Sequence, residues 1–151
     1  MLIILDWDGT LMDSADRIAE CLVKAGQELE QWDVDEEHAK QVIGLGLPEA
    51  VERLYPYLDK AERLQCIELY KQFFLEAEKQ PCQLFPSVEE TLEQLRESGH
   101  SLAIATGKSR QGLNRVLDQM DMHRYFDATR CADETASKPN PMMIDELLAE
   151  F

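Results

Sequence analysis

Apolar residues run without a break from Leu2 to Leu5 and stop at Asp6. Such a run predicts a strand buried on both faces, the habit of parallel sheets. Asp8-Gly9-Thr10 ends the pattern, and from Asp13 to about Glu30 the period changes. Ile18, Leu22, Ala25 and Leu29 now recur at helical spacing. Trp32 to Asp35 is a break, and Glu36 to Ile43 predicts a second, shorter helix. Gly44-Leu45-Gly46-Leu47-Pro48 interrupts it, and a third helix is expected from near Pro48, because proline suits a first helical turn. A fourth opens at Leu58-Asp59, with Leu64, Ile67, Tyr70, Phe74 and Ala77 as its apolar stripe. Residues 14–80 thus carry four helical patterns and no strand pattern, which predicts a small helical bundle.

Pro81 and Pro86 bracket a loop, after which the register changes again. Ser87 with Glu90 three residues on fits a capping box, Val88, Leu92 and Leu95 supply an apolar face, and Gly99 is a helix stop. Ser101 to Ala105 reads as a second buried strand ending at Thr106-Gly107. A helix with Leu113, Val116, Leu117 and Met120 inward follows, and Phe126 to Cys131 is a weaker strand. Asn140-Pro141 predicts an N-cap with proline at the first helical position, opening a last helix that carries Ile144, Leu147 and Leu148. Strand and helix alternate outside the helical insert. The expected fold is therefore α/β, with a Rossmann-like parallel sheet and right-handed crossovers. Residues 1–13 and 81–151 are its core, and 14–80 an inserted four-helix unit. Open α/β sheets bind ligands at the carboxyl ends of their strands. The ends that matter are Asp6, Thr106 and the stretch before Lys138.

Composition narrows the function. Thirty acidic against 15 basic residues give a formal charge of −15, which argues against nucleic acid or an anionic membrane as partner. The same field repels anionic substrates, so a phosphate site here needs local cations. No apolar run approaches the roughly 20 residues that span a bilayer. Cys21, Cys66, Cys82 and Cys131 are widely spaced with no CxxC pair, which reads as reduced, mostly buried thiols in a cytoplasmic protein. His38, His100 and His123 have no metal-ligand spacing. Nothing in the pattern speaks to oligomeric state.

Three stretches carry candidate chemistry. In Asp6-Trp7-Asp8-Gly9-Thr10-Leu11, two carboxylates at a strand end converge when the chain turns. Carboxylates that close repel each other unless a cation or proton stands between them, and a hard divalent ion such as magnesium resolves the repulsion. One carboxylate is then available to attack phosphorus while the other handles protons. Asp and Gly also favour plain polar turns. A calcium loop starting at Asp6 fails, because its twelfth position would be Arg17. Ala105-Thr106-Gly107-Lys108 offers a hydroxyl and backbone N–H groups at a strand-to-helix turn, which is an anion site or simple helix capping. In Ser137-Lys138-Pro139-Asn140-Pro141 the prolines restrict the backbone around a lysine, so its ammonium is aimed; a solvated surface lysine is the ordinary alternative. Gly44 to Pro48 is either an interhelical turn or something more.

Leu5-Asp6-Trp7-Asp8-Gly9-Thr10-Leu11-Met12-Asp13-Ser14 resembles the first motif of the haloacid dehalogenase superfamily, above all its phosphoglycolate-phosphatase-like members with a helical cap. The resemblance covers essentially the whole chain. It implies that Asp6 is the nucleophile that becomes an aspartyl-phosphate and Asp8 the general acid/base, with both binding Mg²⁺. Asp at the second position implies phosphoryl transfer rather than carbon–halogen cleavage. Thr106 and Gly107 match the second motif as phosphate ligands, with Lys108 a substrate contact. Lys138 matches the third motif, Lys-Pro-x-Pro. Gly44 to Pro48, including Gly46, matches a loop that closes over substrate. The fourth motif, Gly-Asp-x-x-x-Asp, would follow the helix that ends near Phe151, so the chain is expected to be truncated before it. The implied activity is magnesium-dependent hydrolysis of a small phosphate ester. A sugar-phosphate mutase of the same superfamily and a catalytically incomplete binding module are the alternatives.

Overall fold

The computed structural model describes residues 1–151. The chain divides into two compact units: Met1–Met12, Gly44–Gly46 and Leu84–Phe151 form one, Asp13–Ile43 and Leu47–Gln83 the other.

The first unit is built on a parallel sheet of β1 (Leu2–Leu5), β2 (Ser101–Thr106) and β3 (Ala128–Cys131), in the order β1-β2-β3. Leu2 pairs with Ser101, and Ala103 with Ala128. Side chains alternate across a strand, so Ala103, Ala105 and Ala128 share one face. There they pack with Leu2 and Ile4 against Met143, Ile144 and Leu147 of α7 (Met142–Glu150). Leu102, Ile104 and Thr106 alternate to the opposite face and are fully buried. Central β2 is thus buried on both sides. All four residues of β1 are only half-buried, short of the two-sided burial expected, because β1 stands at the sheet edge with one neighbouring strand.

Helix α5 (Val88–Glu97) does not start as expected. Ser87 sits at φ 65°, ψ 10°, and its side chain makes no capping bond. An N-cap residue normally has extended backbone, which aims its oxygen at the first-turn amides; the left-handed conformation removes that aim. The Ser87 carbonyl instead accepts from the Thr91 amide at 3.0 Å and its hydroxyl at 2.7 Å. At the other end Gly99 takes φ +77° and the His100 amide reaches back to the Leu95 carbonyl, the expected glycine stop. In α6 (Arg110–Met120), Ser109 caps the Gly112 amide at 3.1 Å, and Leu113 and Leu117 are buried. Asn140 caps α7 by accepting from the Met142 amide at 3.0 Å, with Pro141 one position ahead of the helix rather than inside it.

The second unit holds α1 (Ala15–Glu28), α2 (Glu36–Lys40), α3 (Leu47–Leu54) and α4 (Lys60–Ala77). The capping box of this protein is here. Asp59 accepts from the Glu62 amide and Glu62 from the Asp59 amide, each at 2.8 Å. Cys66, Ile67 and Phe74 form the buried face of α4, while Leu64 is exposed. At about 100° per residue, Leu64 lies about a quarter-turn or more from the centre of that face. Gly26 leaves room in α1 for Tyr55, whose buried hydroxyl donates to the Leu22 carbonyl at 2.8 Å. No helix is long and apolar enough to cross a membrane. None of the four cysteines is in a disulfide; burial pushes the Cys21 and Cys66 thiols up to about 11 and Cys131 to about 12, which leaves these three un-ionised near neutrality.

Two predictions follow from packing and charge. A Cβ at Gly26 would meet the Tyr55 ring and hydroxyl. Gly26→Ala should therefore cost about 1–3 kcal/mol in urea unfolding, although alanine is the better helix former. The Asp127 carboxylate, held below its usual range by the Leu102 amide and then by Arg96, should stabilise the fold at neutral pH. A depressed pKa contributes stability above the unfolded value of about 3.9, and loses it as pH falls through the folded value. The Tm deficit of Asp127→Asn should thus be largest near pH 7 and shrink below about pH 4.

Candidate active site

Because the three strands run parallel, their carboxyl ends lie along one edge of the sheet. Asp6 directly follows β1, Thr106 is the last residue of β2, and Lys138 stands in the loop after β3. Past Asp6 the chain folds back in a tight loop. The amides of Thr10, Leu11 and Met12 all donate to the Trp7 carbonyl at 3.2, 2.9 and 3.1 Å. Gly9 takes φ +78°, where a side chain would be strained. The intervening Trp7 is fully buried, edge-on to Phe126, and anchors the stretch that carries both carboxylates.

Lys138 Nζ donates to Asp6 Oδ1 at 3.0 Å and to the Ala105 carbonyl at 3.0 Å, so one ammonium joins the ends of β1 and β2. Lys108 Nζ lies 3.5 Å from Asp8 Oδ2, and both side chains are largely buried. Thr106 is fully buried, and its Oγ1 accepts from the Lys108 amide at 3.1 Å. Capping of α6 falls to Ser109, so Thr106 is not used for it. Gly107 lies against the backbone of Gly44 and Leu45, whose carbonyl oxygens a Cβ would strike. The Gly46 amide donates to Ser137 Oγ at 2.7 Å. Asp6, Asp8, Thr106, Gly107, Lys108, Lys138 and Gly46 are therefore linked through these contacts around the strand ends. Sequence reasoning passed over Ser137 and the Ala105 carbonyl. The first was visible as the polar neighbour of Lys138; a backbone carbonyl has no sequence signal.

A network outside the site aims Lys138. The Ala132 amide donates to the Lys108 carbonyl at 3.0 Å and the Arg110 amide to Asp133 at 2.9 Å. Arg110 grips both oxygens of Glu134 at 2.6 and 2.8 Å, and this pairing holds the Glu134 carboxyl below its usual range. Thr135 donates to Glu146 of α7 at 2.8 Å. The loop after β3 is thus fastened to the loop after β2 and to α7.

The residues suit a hard cation in kind. Asp6 and Asp8 offer oxygen donors only, and no group of three or more His, Cys, Asp or Glu side chains is placed to hold a metal. Two carboxylates are donors of the kind that a hard divalent cation takes when water completes its shell.

The profile of the haloacid dehalogenase-like hydrolases matches residues 3–151. The chain belongs to this family. Among similar family members, the phosphoglycolate phosphatase of Vibrio parahaemolyticus serotype O3:K6 is 30% identical over 155 positions, covering 97% of this chain and 68% of that one. The phosphoglycolate phosphatase of Aliivibrio fischeri is 32% identical, with the same coverage of 97% and 68%. The crystal structure of a predicted phosphoglycolate phosphatase from Haemophilus somnus 129pt superposes with a TM-score of 0.85 over 99% of this chain and 71% of that one, at 24% identity. That likeness speaks for the haloacid dehalogenase-like fold.

The tight seat of Gly107 gives a prediction. Gly107→Ala should destabilise the protein by about 1–3 kcal/mol, because its methyl group meets backbone that has no rotamer to yield; chemical denaturation checks it.

Proposed function

We propose that this chain is a magnesium-dependent phosphatase that hydrolyses a small phosphate ester through an aspartyl-phosphate on Asp6. The observation that carries the reading is the ammonium of Lys138 on Asp6 at the strand ends, with a second lysine on Asp8. In a chain of net charge −15, two largely shielded cations beside two carboxylates form a place where a phosphate dianion is tolerated. Membership of a hydrolase family, and relatives named phosphoglycolate phosphatase, support phosphoglycolate or a similar small ester as substrate.

In the proposed reaction an Asp6 carboxylate oxygen attacks phosphorus in line. The bond to the leaving oxygen breaks as Asp8 delivers a proton to it. Asp8, now ionised, takes a proton from water. That water attacks the phosphorus of the acyl phosphate, releasing inorganic phosphate and restoring Asp6. Lys138, the Thr106 hydroxyl and the Gly107 N–H hold the phosphoryl oxygens as charge shifts among them. Lys108 orients Asp8 and contacts the substrate. Asp6 and Asp8 would hold the magnesium ion, which when bound supplies charge for the phosphoryl oxygens. The inserted helices of residues 14–80 are read as the cap that selects the substrate. Four cysteines without a disulfide, three of them buried, support a reducing compartment such as the cytoplasm.

The test is phosphate release from phosphoglycolate and from p-nitrophenyl phosphate, with magnesium and with a chelator. Hydrolysis should require the metal, and Asp6→Asn should lower kcat by roughly a thousandfold or more with the fold intact by circular dichroism. Metal-independent turnover, or an Asp6→Asn variant as active as the parent, contradicts the reading.

A further inference from the structure

Gly44–Gly46 belongs to the first compact unit although the residues on either side of it belong to the second. Three contacts hold this short strap. The carbonyls of Gly44 and Leu45 lie directly on Gly107, the one residue type that permits such an approach. A Cβ built on Gly44 would stand 4.0 Å from Asp6 Oδ2, so the strap passes beside the oxygen that Lys138 does not occupy. The third contact involves a side chain. The Gly46 amide donates to Ser137 Oγ at 2.7 Å, across 91 residues of sequence. The same hydroxyl lies 3.5 Å from the Lys138 carbonyl, a contact at the limit of hydrogen bonding.

Ser137 is thus bonded to the strap and covalently adjacent to the lysine that touches Asp6. We infer that Ser137 is a positioning residue: its hydroxyl latches the Gly44–Gly46 strap beside Asp6 and so restricts the site to esters with small leaving groups. The substrate part rests on the phosphatase reading; the latch does not. Gly44 adopts φ +101° and has no side chain, so at this residue the strap brings only backbone up to Asp6. The position of Gly44 therefore sets the free space beside that oxygen. A latched strap leaves room for a small alkyl ester; an unlatched one yields to a larger group.

The test compares wild type with Ser137→Ala and Ser137→Thr in two assays. The first is amide exchange by NMR, which needs no activity. Loss of one hydrogen bond should speed Gly46 exchange about tenfold in Ser137→Ala. Exchange at the β2 amides should stay as in wild type, and Ser137→Thr should restore protection. Unchanged Gly46 exchange overturns the latch. The second assay is kcat/KM for phosphoglycolate against p-nitrophenyl phosphate. The ratio should shift towards the aryl ester about five- to tenfold in Ser137→Ala and return with threonine. Parallel losses on both substrates, unrescued by threonine, mean that Ser137 only supports the Lys138 loop and overturn the specificity role. If wild type hydrolyses neither ester, the phosphatase reading and its substrate corollary fall together, and Gly46 exchange alone upholds or overturns the latch.

Discussion

The bond between Lys138 and Asp6 is the constraint around which the rest of the sheet edge is arranged. A chain this acidic brings two carboxylates, Asp6 and Asp8, to the end of one strand. Left alone they would repel each other and any anion that approached. A partly exposed ion pair contributes little net stability, so the value of this one lies in where it holds the ammonium. The loop before Lys138 is fastened through Glu134 to Arg110 and through Thr135 to Glu146. These bonds lie outside the site, yet they tie down the chain that carries the cation beside Asp6.

The sheet serves the same end. Alanines at 103, 105 and 128 keep one face of the sheet shallow and let α7 pack closely through Met143 and Leu147. That packing fixes Glu146 and hence the loop that carries Lys138. On the neighbouring strand, Thr106 is buried with its hydroxyl turned to the Lys108 amide, which draws Lys108 towards Asp8. Around the strand ends the backbone is unusual at Gly9 and Gly44, which take positive φ, and at the cis peptide bond between Lys138 and Pro139.

Much of this was legible in the sequence. Buried parallel strands leave a strong signature, and each apolar run ended where a candidate group began: Leu5 at Asp6, Ala105 at Thr106. The helices of residues 14–80 were visible through their period. Finer expectations failed where short-range pattern met tertiary geometry. Ser87 and Glu90 have the spacing of a capping box, but a left-handed Ser87 cannot use it, while Asp59 and Glu62 form one. Leu64 belonged to an apolar stripe yet lies too far round α4 to be buried. Two-sided burial of β1 depended on sheet order, which a local run does not encode. Ser137 escaped notice because its partner, Gly46, lies 91 residues away. Spacing reveals what one element does; it is silent on which distant backbone amide a hydroxyl will find.

The central claim, that Asp6 carries the phosphoryl group, is tested most directly by trapping. A reaction with phosphoglycolate and magnesium would be quenched in acid during turnover, reduced with borohydride and mapped by peptide mass spectrometry. An acyl phosphate is reduced to an alcohol, whereas a free carboxylate is not. The account predicts reduction at position 6 only, dependent on substrate. Reduction at another residue, or none while phosphate is being released, would contradict it.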